Sequence, residues 1–284
     1  MSRLSFALVL LVGILAGGLG VSLLDRGPAP LTDTDVRGII GEMIAADKAG
    51  TAPPELDATK VTALVEDYLM SDPTILDRMS VKLAAAKKVA QREAQARLIQ
   101  ANYAAIYDDA GNVVLGNPDG DVTLVEMFDY NCGYCRRALP DLATLMAEDP
   151  GLKVILKEFP ILSEGSVDAA KVAVLVAEDT TLDYWAFHQK LFATRGQVDA
   201  GAALAAAEAV GGSRVAMMIG MNSPRINETL QQSYELADAL NISGTPTYII
   251  GDELVPGAIG LDALRQKIAN VRDCGSTLCD TPAG

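Results

Sequence analysis

Two cysteines separated by two residues connect a predicted strand to a predicted helix, and this arrangement constrains the fold more than any other feature of the chain. The strand covers Val122 to Phe128, the body of the helix covers Arg136 to Met146, and the motif between them is Cys132-Gly133-Tyr134-Cys135. Cysteines at this spacing can close a reversible disulfide, although they also supply half of many zinc sites. A strand that leads directly into a helix predicts an α/β fold with both thiols at the junction.

The predicted position of Cys132 favours an ionised thiol. At a helix N-terminus the unpaired backbone N–H groups and the helix dipole stabilise an anion, and Arg136 and Arg137 add positive charge one turn later. An unperturbed cysteine, with a pKa of about 8.5, is only a few per cent ionised at neutral pH. We therefore predict that Cys132 is the attacking thiol. Cys135 lies a turn deeper and is predicted to be the more buried, resolving thiol.

A closed zinc site is the alternative for this motif. Such a site needs four Cys or His ligands, and the remaining candidates are Cys274, Cys279 and His188. The two cysteines lie in a polar tail with four residues between them, and the single histidine lies among aromatic residues at helical spacing. We predict no metal site, and we interpret His188 as a packed core residue rather than a catalytic partner of a cysteine.

The segment from Glu126 to Cys135 resembles the active-site segment of thioredoxin-fold thiol-disulfide oxidoreductases, especially the DsbA-like branch and its ScsC-like members. The resemblance implies that Cys132 and Cys135 are catalytic. It also implies that Glu126 is a buried carboxylate that moves protons to and from the inner thiol. Burying a carboxylate in an apolar strand is otherwise costly, so the alternative is that Glu126 faces solvent on an edge strand.

Two prolines extend this resemblance. Pro140 falls where thioredoxin-like proteins carry a proline inside the active-site helix, and Gly244 to Thr247 resembles their cis-proline loop. The resemblance implies that this loop lies against the cysteines and binds substrate. The implied substrate-binding residues are Gly133, Tyr134, Thr245 and Pro246. An ordinary trans proline in a turn is the alternative for Pro246, because cis X-Pro bonds are a small minority.

The resemblance covers about 117–272 and implies a thioredoxin fold with an inserted helical subdomain. We place a DsbA-like domain at 113–272, with the helical insertion at about 167–240. Strands are predicted at Lys153 to Phe159 and Tyr248 to Ile250, and a final helix is predicted at Leu261 to Val271.

The first 26 residues predict export. No charge occurs from Leu4 to Leu24, which is long enough to span a bilayer, and Arg3 precedes this segment. Residues 1–26 are therefore a signal anchor or a cleaved signal peptide, and the alternatives stay open. Either way the chain is expected on the periplasmic side, anchored to the inner membrane or released, because the positive end stays inside.

Residues 31–107 are predicted to be helical. Val36 to Ile44 and Val61 to Leu69 carry apolar residues at helical spacing, and a longer basic helix is predicted from Thr74 to Ala105. The longer helix has an apolar seam, which we define as Leu76, Met79, Leu83, Ala86 and Ala90. The region resembles the N-terminal extension of ScsC-like proteins, which implies an oligomerisation region and a homo-oligomer, with a trimer favoured.

Charge and cysteine content restrict the partners. A net charge of −14 argues against nucleic acid. In an oxidising compartment Cys274 and Cys279 are expected to form a structural disulfide in the tail, 273–284, with electron relay to the active site as the alternative. We predict no cofactor. The expected partners are folding or misoxidised exported proteins and a membrane thiol-disulfide redox partner.

An oligomer would hold several active sites close together, and this arrangement favours the rearrangement of incorrect disulfides. We therefore predict a disulfide isomerase or reductase that acts on protein disulfides. A DsbA-like dithiol oxidase is the first alternative. A second is a copper-binding redox protein, because thiolates select Cu(I), and a third is a non-catalytic scaffold.

Overall fold

A computed structural model describes Gly41, Ala45 and residues 58–279 of the chain. The predicted leader at 1–26 lies outside the described residues, as do most of the predicted helix from Val36 to Ile44 and the end of the tail after Cys279. These predictions stay predictions. In the part of the chain that is described, no helix combines the length and apolarity needed to cross a membrane.

From residue 58 onward, three helices precede the first strand: α1 (Ala58–Ser71), α2 (Thr74–Ala101) and α3 (Tyr103–Tyr107). The single helix predicted from Thr74 to Ala105 is therefore wrong at its C-terminal end. At Asn102 the backbone leaves the helical region, with φ −106° and ψ 17°, and the side-chain amide donates to the carbonyl of Leu98 at 2.9 Å. An asparagine side chain that bonds to the backbone competes with helical hydrogen bonding.

The chain divides into two compact units, one that reaches to Arg78 and one that starts at Met79. The second unit contains most of α2 as well as the whole sheet. Ile99 and Ile106 are buried in a cluster with residues of the sheet and of the helical insertion. The C-terminal end of the region predicted as a separate oligomerisation segment, 31–107, thus packs with the domain predicted at 113–272.

A five-stranded mixed sheet forms the centre of the second unit. Its strands are β1 (Val113–Gly116), β2 (Val122–Phe128), β3 (Leu152–Glu158), β4 (Thr247–Ile250) and β5 (Glu253–Pro256). They lie in the order β1-β3-β2-β4-β5, with β2 parallel to β3 and the other pairs antiparallel. The central strand β2 is buried at six of its seven positions, as expected for a strand covered on both faces.

Seven helices complete the domain: α4 (Gly133–Glu148), α5 (Glu164–Glu178), α6 (Tyr184–Phe192), α7 (Ala200–Ala209), α8 (Arg214–Gly220), α9 (Pro224–Ala239) and α10 (Leu261–Cys274). Five of them, α5 to α9, lie between β3 and β4, where the sequence predicted a helical insertion. Four of these five helices follow a residue whose side chain accepts a backbone N–H of the first turn, and such a bond stabilises the start of a helix. The capping residues are Ser163, Asp183, Asp199 and Ser213.

The C-terminal tail is tied to the sheet and to α2. Cys274 and Cys279 form a disulfide, as predicted. Between them, Ser276 donates to the carboxylate of Asp252 at 2.8 Å and accepts from the guanidinium of Arg92 at 2.9 Å. Arg92 also forms an ion pair with Asp252 at 3.5 Å, so at this position α2 is fastened to the tail rather than solvated.

Candidate active site

Cys132 is the N-cap of α4. Its backbone is extended, with φ −77° and ψ 115°, and its sulfur accepts the backbone N–H of Cys135 at a distance of 3.5 Å. The helix begins at Gly133, so Cys132 occupies the N-terminal position predicted from the sequence, and its sulfur takes the place of a capping oxygen. Both thiols are buried and unbridged, Cys132 with 6% and Cys135 with 1% of its surface exposed.

Hydrogen bonds lower the pKa of Cys132 to about 5. The largest contribution is the hydrogen bond with the side chain of Cys135, followed by the opposing effect of burial and then by hydrogen bonds with Thr245 and with the backbone N–H groups of Cys135 and Tyr134. The charges of Arg136 and Arg137, which the sequence suggested, are not among these main causes. Arg137 lies over the ring of Tyr134, 4.3 Å from its centroid. Cys132 is therefore a thiolate at neutral pH.

Cys135 and Glu126 are held in their protonated forms. Burial, the hydrogen bond with Cys132 and the charge of Glu126 raise the pKa of Cys135 far above its ordinary value. Burial, and after it the charge of Cys132, raises the pKa of Glu126 to about 8. Glu126 lies in the central strand β2 with 5% of its surface exposed, so the alternative of a solvent-facing position on an edge strand is wrong.

The loop before β4 closes the site from the other side. The peptide bond between Thr245 and Pro246 is cis, and the sulfur of Cys132 lies 3.1 Å from the carbonyl oxygen of Thr245. The Pro246 carbonyl accepts the N–H of Gly257 at 2.8 Å, which ties the loop to the end of β5. Tyr134, with 60% of its surface exposed, lies beside Cys132 at the start of α4. The structure thus brings the predicted site residues together, with Pro140 further along α4.

Two residues that the sequence analysis left without a role hold the motif in place. The buried carboxylate of Asp129 accepts the N–H of Asn131 at 2.7 Å and the N–H groups of Ile161 and Leu162 at 2.9 Å each. The Asn131 amide in turn exchanges two hydrogen bonds with the backbone of Val198. The sequence signal for these contacts is the pair Asp129 and Asn131 on either side of Tyr130, directly before the motif. Short polar side chains at such positions often form hydrogen bonds with nearby backbone groups.

His188 lies in an aromatic cluster below the motif. It is almost fully buried, its Nδ1 is 3.0 Å from the hydroxyl of Tyr130, and its ring stacks with Trp185. Burial lowers its pKa to about 3, so the ring is neutral. This environment agrees with the interpretation of His188 as a core residue. Tyr184 of the same cluster donates to Glu158, whose other carboxylate oxygen is buried without a hydrogen bond.

Metal binding has little support among the residues that the structure describes. No three His, Cys, Asp or Glu side chains of residues 58–279 form a group that could hold a metal ion. The copper alternative would rest on Cys132 and Cys135 alone and stays a prediction.

The arrangement defines a class of protein: a nucleophilic thiolate, a protonated inner thiol and a buried acid at the junction of a central strand and a helix are the parts of a thiol-disulfide oxidoreductase. A model of the DSBA-like thioredoxin domain matches residues 123–269, just over half of the chain. The chain therefore belongs to the family of DSBA-like thioredoxin domain proteins, and its fold is the thioredoxin-like α/β fold that the resemblance implied.

Solved structures agree with this assignment. A thioredoxin-like oxidoreductase from Silicibacter pomeroyi is 36% identical, with a TM-score of 0.57, and the match covers 60% of this chain and 98% of the other. ScsC from Proteus mirabilis in a compact conformation is 30% identical, with a TM-score of 0.57 and coverages of 76% and 99%. The thiol-disulfide exchange protein alpha-DsbA2 from Wolbachia pipientis is 28% identical, with a TM-score of 0.58 and coverages of 64% and 98%.

Curated relatives include longer proteins. The Na(+)/H(+) antiporter NhaA 3 of Salinispora tropica is 25% identical over 218 residues, which are 76% of this chain and 33% of the antiporter. This chain thus spans about a third of the length of that relative.

Proposed function

We propose that the protein is an exported thiol-disulfide oxidoreductase that acts on protein disulfides, mainly as an isomerase or reductase. The observation that carries the proposal is the contrast between the two thiols. Cys132 is ionised at neutral pH, whereas the pKa of Cys135 is raised far above its usual range. The first can attack a disulfide at once, and the second cannot follow until it loses its proton.

The reaction proceeds in two balanced steps. The Cys132 thiolate attacks one sulfur of the substrate disulfide, a mixed disulfide forms, and the other substrate sulfur leaves as a thiolate. Glu126 then gives its own proton to solvent and accepts the proton of Cys135, whose thiolate attacks Cys132 and releases the second substrate sulfur as a thiolate. This reduces the substrate by two electrons and oxidises Cys132 and Cys135 to a disulfide. When a substrate thiol attacks the mixed disulfide first, the product is a rearranged substrate and the enzyme stays reduced.

Isomerisation is favoured because Cys135 is slow to ionise. A mixed disulfide that persists gives the substrate time to rearrange. The exposed seam on α2 also supports an oligomer, favoured as a trimer, whose neighbouring active sites would raise the local thiol concentration. The uncharged segment Leu4 to Leu24 supports periplasmic placement. Substrates would be folding or misoxidised exported proteins, and a membrane redox partner would keep the dithiol reduced.

A dithiol oxidase is the second candidate, and one observation favours it. A pKa of about 5 at Cys132 stabilises the reduced enzyme, and a stable reduced form makes the disulfide of the oxidised enzyme a stronger oxidant. The two candidates therefore differ in which substrate they process well.

Ribonuclease assays test the proposal. The reduced protein should restore activity to scrambled ribonuclease, Cys132→Ser should abolish this, and Cys135→Ser should keep a measurable part of it, since isomerisation needs only the first thiol. The oxidised protein should act at least about tenfold more slowly on reduced ribonuclease than a strong oxidase does. Rapid oxidation of reduced ribonuclease without recovery of the scrambled form would instead identify an oxidase.

A further inference from the structure

A groove with a volume of about 570 Å³ lies between α2 and the loop that carries the cis proline. One face of α2 forms the first wall, with Gln91, Ala94, Gln95 and Leu98. The segment from Leu240 to Thr247 forms the second wall, and residues of β5 and the turn after it complete the lining. Helix α2 belongs to the part of the chain before the DSBA-like domain match, so the groove joins the family domain to a segment outside it.

Both walls are held firmly. On the α2 side, Ile99 is buried in the core and Arg92 is bonded to Ser276, so the helix is fixed close to both ends of its groove face. On the other side, α9 ends at Ala239, Asn241 two residues later has a φ of 57°, and the N–H of Ile242 donates to the carbonyl of Ala237 at 2.7 Å. This closure of a helix end directs the chain from α9 towards the active site.

The lining has no charged residue, although the chain carries a net charge of −14. Apolar surface comes from Leu98, Leu240, Ile242, Leu254 and Pro256. Amide side chains come from Gln91, Gln95 and Asn241, and none of the hydrogen bonds among residues 58–279 uses them. Free amides beside apolar surface suit an extended polypeptide, whose backbone offers N–H and C=O groups and whose side chains can be apolar.

The groove leads directly to the reactive sulfur. Thr245 and Pro246 belong to its lining, and the carbonyl of Thr245 is 3.1 Å from the sulfur of Cys132. A chain whose disulfide is presented to Cys132 therefore has its neighbouring residues at the entrance of the groove. A small disulfide such as glutathione disulfide carries only a tripeptide on each sulfur, so it presents less chain to α2 from the same position.

We propose that α2 is a specificity-determining element: its face from Gln91 to Leu98 binds the uncharged, extended segment that flanks a substrate cysteine, so that unfolded polypeptides react faster than small disulfides. The proposal rests on the function proposed above and extends it to the substrate class. Gln95 is a binding residue in it, and Ala94 is the position at which the groove can be closed.

Mixed-disulfide formation in the full chain tests this, with Cys135→Ser present to stop the reaction at that stage. The probes are glutathione disulfide and peptide disulfides of about ten residues with an apolar flank. Ala94→Trp should fill the groove and slow the peptide reaction about tenfold, while the glutathione rate stays within about twofold. The matched control is Gln100→Trp, since Gln100 is exposed on the opposite face of the same helix and does not line the groove.

Introducing a charge into the groove gives a result that misfolding of the variant cannot produce. Gln95→Glu should speed the reaction of a peptide with lysine in its flank and slow that of a peptide with glutamate there, by about threefold each at low salt. Equal peptide rates in Ala94→Trp and Gln100→Trp, or no charge preference in Gln95→Glu, would overturn the proposal. If Cys132 reacted with no disulfide at all, including glutathione disulfide, the proposed function itself would be wrong.

Discussion

Cys132 and Cys135 are three residues apart in the chain, but their sulfur atoms have different surroundings. Cys132 lies at the open end of α4, where hydrogen-bond donors face its sulfur, and Cys135 lies within the first turn against β2. Glu126 is near enough to interact electrostatically with both thiols. The same short motif therefore supplies one ionised and one protonated thiol, and a buried carboxyl group connects their proton chemistry.

The reactivity of Cys132 should depend on pH in two steps. Because its pKa falls from an ordinary value near 9 to about 5, alkylation should rise with a midpoint near 5. Glu126 has a pKa of about 8, so its ionisation should add a second, smaller change in the alkylation rate near pH 8. The free energy of unfolding of the reduced protein should also depend on these two groups. The lowered pKa of Cys132 contributes stability above about pH 9, and this contribution is lost as the pH falls to 5. The raised pKa of Glu126 contributes stability below about pH 4.5, and this contribution is lost as the pH rises to 8.

Two variants check the assignment of these steps. Glu126→Gln should remove the step near 8 and leave the one near 5, and Cys135→Ala should raise the first midpoint because the main hydrogen bond to the Cys132 sulfur is lost. Alkylation rates and ultraviolet thiolate absorbance measure both. A single midpoint near 9 in the native protein would contradict this account.

Among the elements, two loops meet below the active site. Asp129 directly follows β2, and its carboxylate accepts the N–H groups of Ile161 and Leu162, which follow β3. The side chain of Asp129 thereby joins the segment before the motif to the segment before α5. An acceptor with two negative oxygens suits this position, because every group that points at it is a donor.

Asp129→Asn should destabilise the reduced protein by about 2 kcal/mol, since the amide NH₂ would face backbone N–H groups that then lack an acceptor. Urea unfolding measures the change. Asp119→Asn is the matched control, because Asp119 is exposed and its carboxylate makes none of the hydrogen bonds found among residues 58–279. Equal stability of the two variants would show that the Asp129 contacts contribute little.

The elements differ in how well the sequence predicts them, for local reasons. Strand β2 has the predicted bounds because a long apolar run is bounded by polar residues, and β3 differs by one residue. Helix α4 begins directly after Cys132, where the sequence placed the helix N-terminus, although a cysteine gives no ordinary capping signal. The groove could not be predicted, because Gln95 and Asn241 are far apart in the sequence and line the same groove only in the folded chain.

At the scale of the whole molecule, the seam on α2 lacks a covering element among the described residues. Leu76, Met79 and Leu83 have 67%, 59% and 56% of their surfaces exposed. A row of exposed apolar side chains at this spacing is the pattern of a helix that packs against copies of itself. The full chain should therefore be an oligomer in solution.

Leu76→Lys combined with Leu83→Lys should convert this oligomer to a monomer while the thiols keep their reactivity, because both residues are exposed and distant in sequence from the motif. Sedimentation and alkylation measure the two properties. Lys88→Glu changes a charge on the exposed face of α2 opposite the seam and should leave the assembly intact. A chain that sediments as a monomer before any substitution would rule out the oligomer.

The environment of His188 has a consequence for the protein as a whole. It is the only histidine of the chain, and burial holds its pKa near 3. Imidazole groups are the usual means by which a protein senses mild acid, and here none changes charge near neutrality. Between the midpoints of Cys132 and Glu126 the first step, attack by the Cys132 thiolate, should therefore proceed at a constant rate and be indifferent to acidification of the surroundings.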